Sequence, residues 1–380
     1  MGQNKLNVLY VFGFDYSLKL WNDSGALERE FSYFETIAKE QNVKFTLITY
    51  GDINDHKYLN SEFISIIPIF SIYKRPNLKF VIFIKSIAFT FKIYKNLRHV
   101  DLIKQNQLTG VWVSWFFKFL LKKPLYTRTG YDEYTFSKNS NKNFMKKAFF
   151  KLLTQLSLNY SNLYSVSNKT DFLFITNNYF FNKSKLIYRP NWVFTGIQKK
   201  PISQKNKNHI FSVGRLEKQK NYLFLLSLLK GTNYCLDIIG DGSEKENLLT
   251  YAKKNKIKLR ILPKTNNLEL LRHLNDYEFF VLPSLYEGNP KVLLEAMAAG
   301  LVVFASNIPN HSEIIEDSKN GFLFSLNNNE FLDKFERIQS DSKVTKNVSN
   351  EAINYINSKH SLEHAIKNEI KDYKFLIQNF

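Results

Sequence analysis

Residues 279–305 read FFVLPSLYEGNPKVLLEAMAAGLVVFA. Phe279–Leu282 is a short apolar run closed by Pro283, the pattern of a buried strand. A loop, Ser284–Asn289, leads to Pro290, which suits a helix's first turn because its missing N–H is not needed there. Val292–Ala298 then reads as a helix and Leu301–Ala305 as a second strand. A strand, a helix and a strand in so short a span specify a parallel crossover.

The same alternation extends upstream. Strand His209–Val213 is followed by helix Tyr222–Leu229, and strand Cys235–Ile239 by Gly240–Asp241–Gly242 and helix Glu244–Lys254. Strand Ile257–Leu262 and helix Leu268–Leu274 complete the unit. This pattern predicts a doubly wound parallel α/β sheet, whose ligands sit beyond the carboxyl ends of the strands. The first half opens in the same way. Strand Asn7–Phe12, the loop Asn22–Asp23–Ser24–Gly25, helix Ala26–Glu40 and strand Lys44–Thr49 form a βαβ unit. Further strands are predicted at Gly110–Ser114, Pro124–Thr127 and Leu163–Ser167, with helices at Leu78–Arg98 and Asn143–Leu158.

The segment Tyr188–Ser203, with Pro190 and Pro201, reads as a connection. The expectation is therefore a domain over 1–192, a second over 193–360, and a last helix, Ser361–Gln378, whose placement the pattern does not give. Two such domains joined near the middle predict a cleft. A length of 380 residues suits that count.

Composition narrows the class. The chain is 44% hydrophobic and 23% charged, which allows a large core. One cysteine, Cys235, excludes a disulfide framework and a thiolate zinc site, and argues for a reducing compartment. Met1–Tyr10 lacks the pattern of a signal peptide, and Lys85 interrupts the apolar run Phe80–Phe91, so a cytoplasmic location is expected.

The charge is uneven. Of the net +19, residues 1–200 hold 29 Lys and Arg against 13 Asp and Glu, a balance of +16, and residues 201–380 hold 24 against 21, only +3. Such a field implies an anionic partner. Residues 57–160 alone carry 18 basic groups against Glu62, Asp101, Asp132 and Glu133. Within Asn143–Leu158, Met145, Ala148, Phe149, Leu152 and Leu156 form an apolar stripe, with Lys146, Lys147 and Lys151 beside it. One reading packs each such stripe on the sheet and leaves the lysines solvated. The clusters taken together favour a helix surface lying on an anionic membrane.

Two motifs carry chemistry. Gly214–Arg215 and Lys220 follow a strand, where Gly214 allows a tight turn and the two cations suit a diphosphate. Glu295 lies inside an otherwise apolar helix, eight residues after Glu287 in the preceding loop. A carboxylate there is costly unless it is paired, so it is expected to accept hydrogen bonds from a ligand's hydroxyls. The plain alternative pairs Glu295 with a lysine and leaves Glu287 on the surface. No histidine pair has metal-ligand spacing and no Asp-x-Asp ends a strand, so no metal is expected.

These elements, with Ser306–Asn307–Ile308–Pro309, Glu313–Ile314–Ile315 and Asn320–Gly321–Phe322–Leu323, resemble the retaining GT-B glycosyltransferases of the large family that includes mannosyltransferases and lipopolysaccharide-core glucosyltransferases (family 4-like). The resemblance is strong over about 205–325 and weaker in the first half. It implies two Rossmann-like domains facing across a cleft, and a transfer that retains anomeric configuration without cofactor or metal. By it, Arg215 and Lys220 would hold the donor diphosphate beside Gly214, and Glu295 would bind the ribose. Glu287 would take the transferred sugar, within a donor-facing segment that includes Gly288, Asn289, Lys291 and Val292. The backbone at Leu262 and Pro263 would meet the base, UDP being the commoner carrier, and Gly25 would approach the donor from the first domain. Many relatives have a histidine where this chain reads Thr127–Arg128–Thr129–Gly130–Tyr131–Asp132, so Thr129, Arg128 and Asp132 are the acceptor-side candidates. With the basic first half, the expected acceptor is a lipid-linked glycan at the inner leaflet of the cytoplasmic membrane. The alternatives are a soluble transferase acting on a small acceptor, a nucleotide-sugar epimerase and, more distantly, a nucleic-acid-binding protein. The last would not need Glu295 beside Glu287.

Overall fold

The computed structural model describes residues 5–59, 61–140, 142–196, 206–326 and 330–380. The connection expected over Tyr188–Ser203 therefore lies partly outside the described residues, Pro201 included. The chain forms two compact units, Met1–Arg189 with Ile366–Phe380, and Pro190–Ala365.

The first unit runs β1 (Leu6–Val11), α1 (Leu18–Asp23), α2 (Leu27–Gln41), β2 (Val43–Thr49), β3 (Ile64–Pro68), α3 (Lys79–Ile93) and β4 (Leu102–Asn106). It continues with α4 (Val111–Leu121), β5 (Leu125–Thr129), α5 (Glu133–Asn139), α6 (Phe144–Tyr160), β6 (Leu163–Val166), α7 (Lys169–Asn178) and β7 (Leu186–Tyr188). Its seven strands lie in the order β3-β2-β1-β4-β5-β6-β7, and every pair is parallel.

The second unit runs β8 (Asn206–Val213), α8 (Tyr222–Leu228), β9 (Cys235–Ile239), α9 (Lys245–Lys254), β10 (Lys258–Leu262), α10 (Asn267–Leu274) and β11 (Tyr277–Leu282). Then come α11 (Lys291–Ala298), β12 (Val302–Ser306), α12 (Pro309–Ser312), β13 (Phe322–Phe324), α13 (Glu330–Ser340) and α14 (Ser342–Lys359). Its six parallel strands take the order β10-β9-β8-β11-β12-β13. Both orders reverse direction once, between β1 and β4 and between β8 and β11. Loops leaving the carboxyl ends of those pairs diverge to opposite sides and open a ligand-binding crevice. Apolar helix faces cover the second sheet on both sides, so its central strands read as continuous apolar runs.

Two expectations are corrected and one alternative reading is decided. Gly110–Ser114 is not a strand: the strand is β4, and Gly110, at φ 92°, turns the chain into α4. The backbone comes so close there that a Cβ on Gly110 would sit 2.7 Å from the Phe14 nitrogen. The loop before Ala26 is partly helical, since α1 takes up Asn22 and Asp23, and Ser24 and Gly25 separate it from α2. The apolar stripe of α6 does not pack on the sheet. The buried side of the helix is Leu153, Thr154, Ser157 and Leu158 instead.

The last helix, α15 (Leu362–Gln378), returns to the first unit. There Glu369 pairs with Lys104 of β4, both side chains being buried. The Lys104 ammonium also lies within 5.1–5.8 Å of the ring centroids of Tyr10, Tyr33, Tyr126 and Tyr373. Asp372 accepts from Arg189 at 2.8 and 2.5 Å and from the Tyr126 hydroxyl at 3.0 Å. Burial alone would raise the Glu369 carboxyl, but the Lys104 charge beside it holds it below its ordinary value.

A candidate donor site at the carboxyl ends of the second sheet

The switch point between β8 and β11 brings together the two motifs on which the sequence reading rests. After β8, the chain passes Gly214 and the exposed Arg215 into a short turn, Lys218–Lys220, before α8. After β11, Ser284 begins the loop to α11. The two loops are stitched together. The Leu285 N–H donates to the Gln219 carbonyl at 2.8 Å, and the Gln219 amide donates to the Tyr286 carbonyl at 2.8 Å.

Across this seam, Lys220 Nζ stands 2.5 Å from Glu287 Oε1, and both side chains are largely buried. Ser284 Oγ donates to the same carboxylate oxygen at 2.6 Å. Glu287 is thus held by two groups from two strand ends and is not a loose surface residue. A buried carboxylate fixed in this way is positioned for hydroxyls or for positive charge developing in a reaction.

Glu295 is 4% exposed on the wholly buried face of α11. The Asn267 amide, at the start of α10, donates to it at 2.8 Å.

A third loop completes the edge. Gly240 follows β9, and a Cβ there would lie 2.0 Å from the Gly214 carbonyl oxygen. The Gly240 N–H donates to the Leu262 carbonyl at 3.2 Å. Gly240–Asp241–Gly242 is more than an ordinary turn, because it lets the β9 loop touch the β8 loop. Leu262 and Pro263 sit at the same carboxyl edge, two strands from β8. The Gly288 carbonyl accepts from the Asn310 amide at 2.8 Å. Asn289 precedes the first turn of α11, which contains Lys291 and Val292.

His311 was not singled out from the sequence, because its place depends on Ser306 reaching Ser284 at the end of another strand. It is fully buried, with Nδ1 2.8 Å from the Ser306 carbonyl, and Ser306 Oγ donates to the Ser284 carbonyl at 2.6 Å. This chain backs the Ser284 that holds Glu287. Burial pushes the His311 imidazole down to about 4, so it is neutral.

The acceptor-side candidates lie in the first unit. Thr129 ends β5 and is buried. Asp132 accepts from the Thr135 N–H at 2.7 Å as the cap of α5, and its own N–H donates to Asp171 at 2.9 Å. Arg128 donates to the Arg189 carbonyl at 3.2 Å beside the Glu369 cluster. These contacts give Asp132 and Arg128 internal structural roles. Next to Asp132, burial pushes the Glu133 carboxyl up to about 7. Gly25, at φ 75°, closes the turn between α1 and α2.

The second unit also gathers His209, Cys235 and Asp237, whose ligand-type atoms lie within 4.8 Å of one another. Sequence spacing could not show this, since the residues come from adjacent strands. Burial would raise Asp237, but hydrogen bonds from Arg260, His209 and Tyr277 bring it down to about 2. The Arg260 guanidinium grips both Asp237 oxygens, at 2.6 and 2.5 Å, and already supplies the positive charge. That arrangement does not fit a metal ion.

Residues 194–355 match the family model described as glycosyl transferases group 1. The chain is 34% identical over 156 residues to an uncharacterized glycosyltransferase of Haemophilus influenzae, covering 39% of this chain and 43% of that protein. It is 31% identical over 174 residues to the UDP-Gal:alpha-D-GlcNAc-diphosphoundecaprenol alpha-1,3-galactosyltransferase of Escherichia coli, covering 42% and 45%. The chain spans less than half the length of these curated relatives. Among solved structures, sucrose-phosphate synthase of Thermosynechococcus elongatus superposes with a TM-score of 0.82 at 14% identity, covering 99% of this chain and 100% of that one. That likeness shows the shared fold, GT-B, built from two such sheets.

Proposed function

We propose, from the match of residues 194–355 to the glycosyl transferases group 1 family model, that the protein is a glycosyltransferase. It moves a sugar from a nucleoside-diphosphate donor, a UDP-sugar by preference, to a lipid-linked glycan in surface polysaccharide or lipopolysaccharide synthesis. It works at the inner leaflet of the cytoplasmic membrane. The observation that carries this reading is the Lys220–Glu287–Ser284 constellation at the switch point, with Glu295 buried on the adjoining helix.

In the proposed reaction, the bond between the anomeric carbon and the donor's phosphate oxygen breaks. The acceptor hydroxyl forms its bond on the same face, and its proton passes to the departing phosphate. Negative charge grows on that phosphate, and Arg215 and Lys220, already in place, stabilise it. Glu295 takes the ribose hydroxyls and Glu287 the transferred sugar. On this reading Arg215 and Lys220 supply the positive charge a divalent metal would otherwise bring, so activity should persist in excess chelator. The Escherichia coli relative is named for a UDP-sugar donor and a diphosphoundecaprenol-linked acceptor, which supports both substrate classes.

A thermal-shift panel with UDP, GDP and ADP on wild type and Glu295→Ala tests the donor site. A nucleotide at 100 times its dissociation constant adds about 2.7 kcal/mol of stability. One nucleotide should shift the wild type and leave the variant unmoved. No shift from any of the three would remove Arg215, Lys220 and Glu295 as donor ligands. Product analysis then separates transfer to a lipid from rearrangement of the donor alone.

A further inference from the structure

Three helices of the first unit, α3, α4 and α6, form one continuous layer. Phe91 of α3 meets Phe116 of α4 at 5.4 Å between ring centroids, and Trp115 of α4 meets Tyr160 of α6 at 5.5 Å. Their sequences contain seven lysines (three, one and three) and no Asp or Glu. Helices with outward faces open to water normally place charges of both signs there and their apolar residues inward.

On α6 this order is inverted. The buried side is Leu153, Thr154, Ser157 and Leu158, half of it polar. At about 100° per residue, Phe144, Ala148, Leu152, Met145 and Phe149 fall on the opposite side. All of them are exposed, Phe144 to 82%. Lys146 borders this stripe on one flank, and Lys147 and Lys151 on the other. Gln155 donates to the Phe180 carbonyl and accepts from the Phe180 N–H, which ties Phe180 to α6, and Phe180 is 91% exposed. On α3 the exposed Phe80, Ile84 and Phe91 again share one side, with Lys85 and Lys92 beside them. Exposed Phe119 lies on α4 between the two.

We propose that the outer surface of α3, α4 and α6 docks on an anionic lipid bilayer. In that pose Phe144, Met145, Phe149 and Leu152 sit below the headgroups, and the flanking lysines lie at their level. Charge complementarity selects this occupant. A second copy of the chain would set lysine against lysine with no carboxylate to answer it. A nucleic acid would be met by lysines at the apex, whereas here the apex is apolar and the lysines flank it, the layout of a helix lying in an interface. The inference names the partner surface for a transferase with a lipid-linked acceptor and rests on that reading for its purpose. Its measurement needs neither donor nor acceptor.

The test is co-sedimentation of the full chain with vesicles of phosphatidylglycerol and phosphatidylcholine, against phosphatidylcholine alone. Wild type should sediment with the anionic vesicles only. Phe144→Ser/Phe149→Ser/Leu152→Ser should lower that binding about tenfold or more, because three apolar side chains no longer leave water. These positions are exposed, and an unchanged nucleotide thermal shift shows that the variant is folded. A second probe uses Cys235, the chain's one cysteine, which is buried, with its thiol pushed up to about 11 by burial. A polarity-sensitive dye on Phe149→Cys therefore labels selectively, and its emission should shift to the blue on anionic vesicles. The proposal is overturned if wild type ignores anionic vesicles, if the triple variant binds them like wild type, or if the dye stays in water. Dimerisation lost in the triple variant, without vesicle binding, would overturn it in favour of a second copy. A protein that binds nucleotide but no vesicle would sink the surface and leave the transferase reading standing.

Discussion

At Gly240 a single hydrogen atom decides whether two loops can meet. A methyl group there would fall 2.0 Å from the Gly214 carbonyl oxygen, which is backbone and cannot swing away. Gly240→Ala should therefore cost about 1–3 kcal/mol in denaturant unfolding. It should also weaken nucleotide binding, because the Gly214–Lys220 loop is pushed off its seat. A Gly240→Ala variant with wild-type stability and nucleotide affinity would show that the loops do not need this contact. Glu295 was legible in the sequence because a carboxylate in an apolar helix stands out, and Glu287 because it lies eight residues before it in the loop leaving the same strand. Asn267 and His311 were not, because they act through α11 and through the Ser306–Ser284 contact between strand ends, and Ser284 was not, because a loop serine carries no signal of its own. Nothing in the spacing of His311 sets it apart from an ordinary helix residue.

Among elements, α15 shows how much one helix can owe to a few charges. Glu369 and Asp372, one turn apart, answer Lys104 and Arg189, and a ring of tyrosines shuts out water. Removing one partner of a buried pair strands the other's charge. Glu369→Ala should therefore destabilise the first unit by about 3–5 kcal/mol. Lys104→Met/Glu369→Leu should recover most of that loss, because no charge is left buried. Chemical unfolding of the three proteins checks this, and a double variant no better than Glu369→Ala would refute the pairing argument. The helix itself was readable from its periodicity. Its docking place was not, although a lysine inside strand β4 was the available clue. The stripe on α6 carries the opposite lesson, since periodicity finds an amphipathic helix without saying which side meets the sheet.

For the molecule as a whole, two buried histidines give the second unit a distinct response to acid. Burial lowers His311 and His360 from 6.5 to about 4. His360 holds the Asn191 carbonyl at 2.7 Å, at the start of that unit. Both pKa values are lower in the folded than in the unfolded chain. The stability they contribute is therefore complete above pH 6.5 and declines as pH falls towards 4, by up to about 1.4 kcal/mol per histidine per pH unit. In the first unit, Glu133 is raised from 4.5 to about 7, so its effect has the opposite sign over the same interval. Hydrogen exchange resolved by unit, at pH 7.5 and pH 5, should show the second unit weakening on acidification and His360→Gln reducing the slope. Equal protection at both pH values would contradict the buried neutral histidines.

The order of strands and helices in the second unit could be read directly, because a sheet covered on both faces needs apolar runs and each crossover needs a helix between turn residues. The same local signals marked Gly214, Arg215, Lys220, Glu287 and Glu295, and the skewed charge could be counted. Contacts between segments far apart in the chain belonged to the tertiary structure. They include the pairing of Lys220 with Glu287, the approach of Gly240 to Gly214, the return of α15 to the first sheet and the outward turn of the α6 stripe. Local sequence sets the period of a helix and the reach of a strand. Which buried surfaces and charges meet depends on the free energy of the whole packed core.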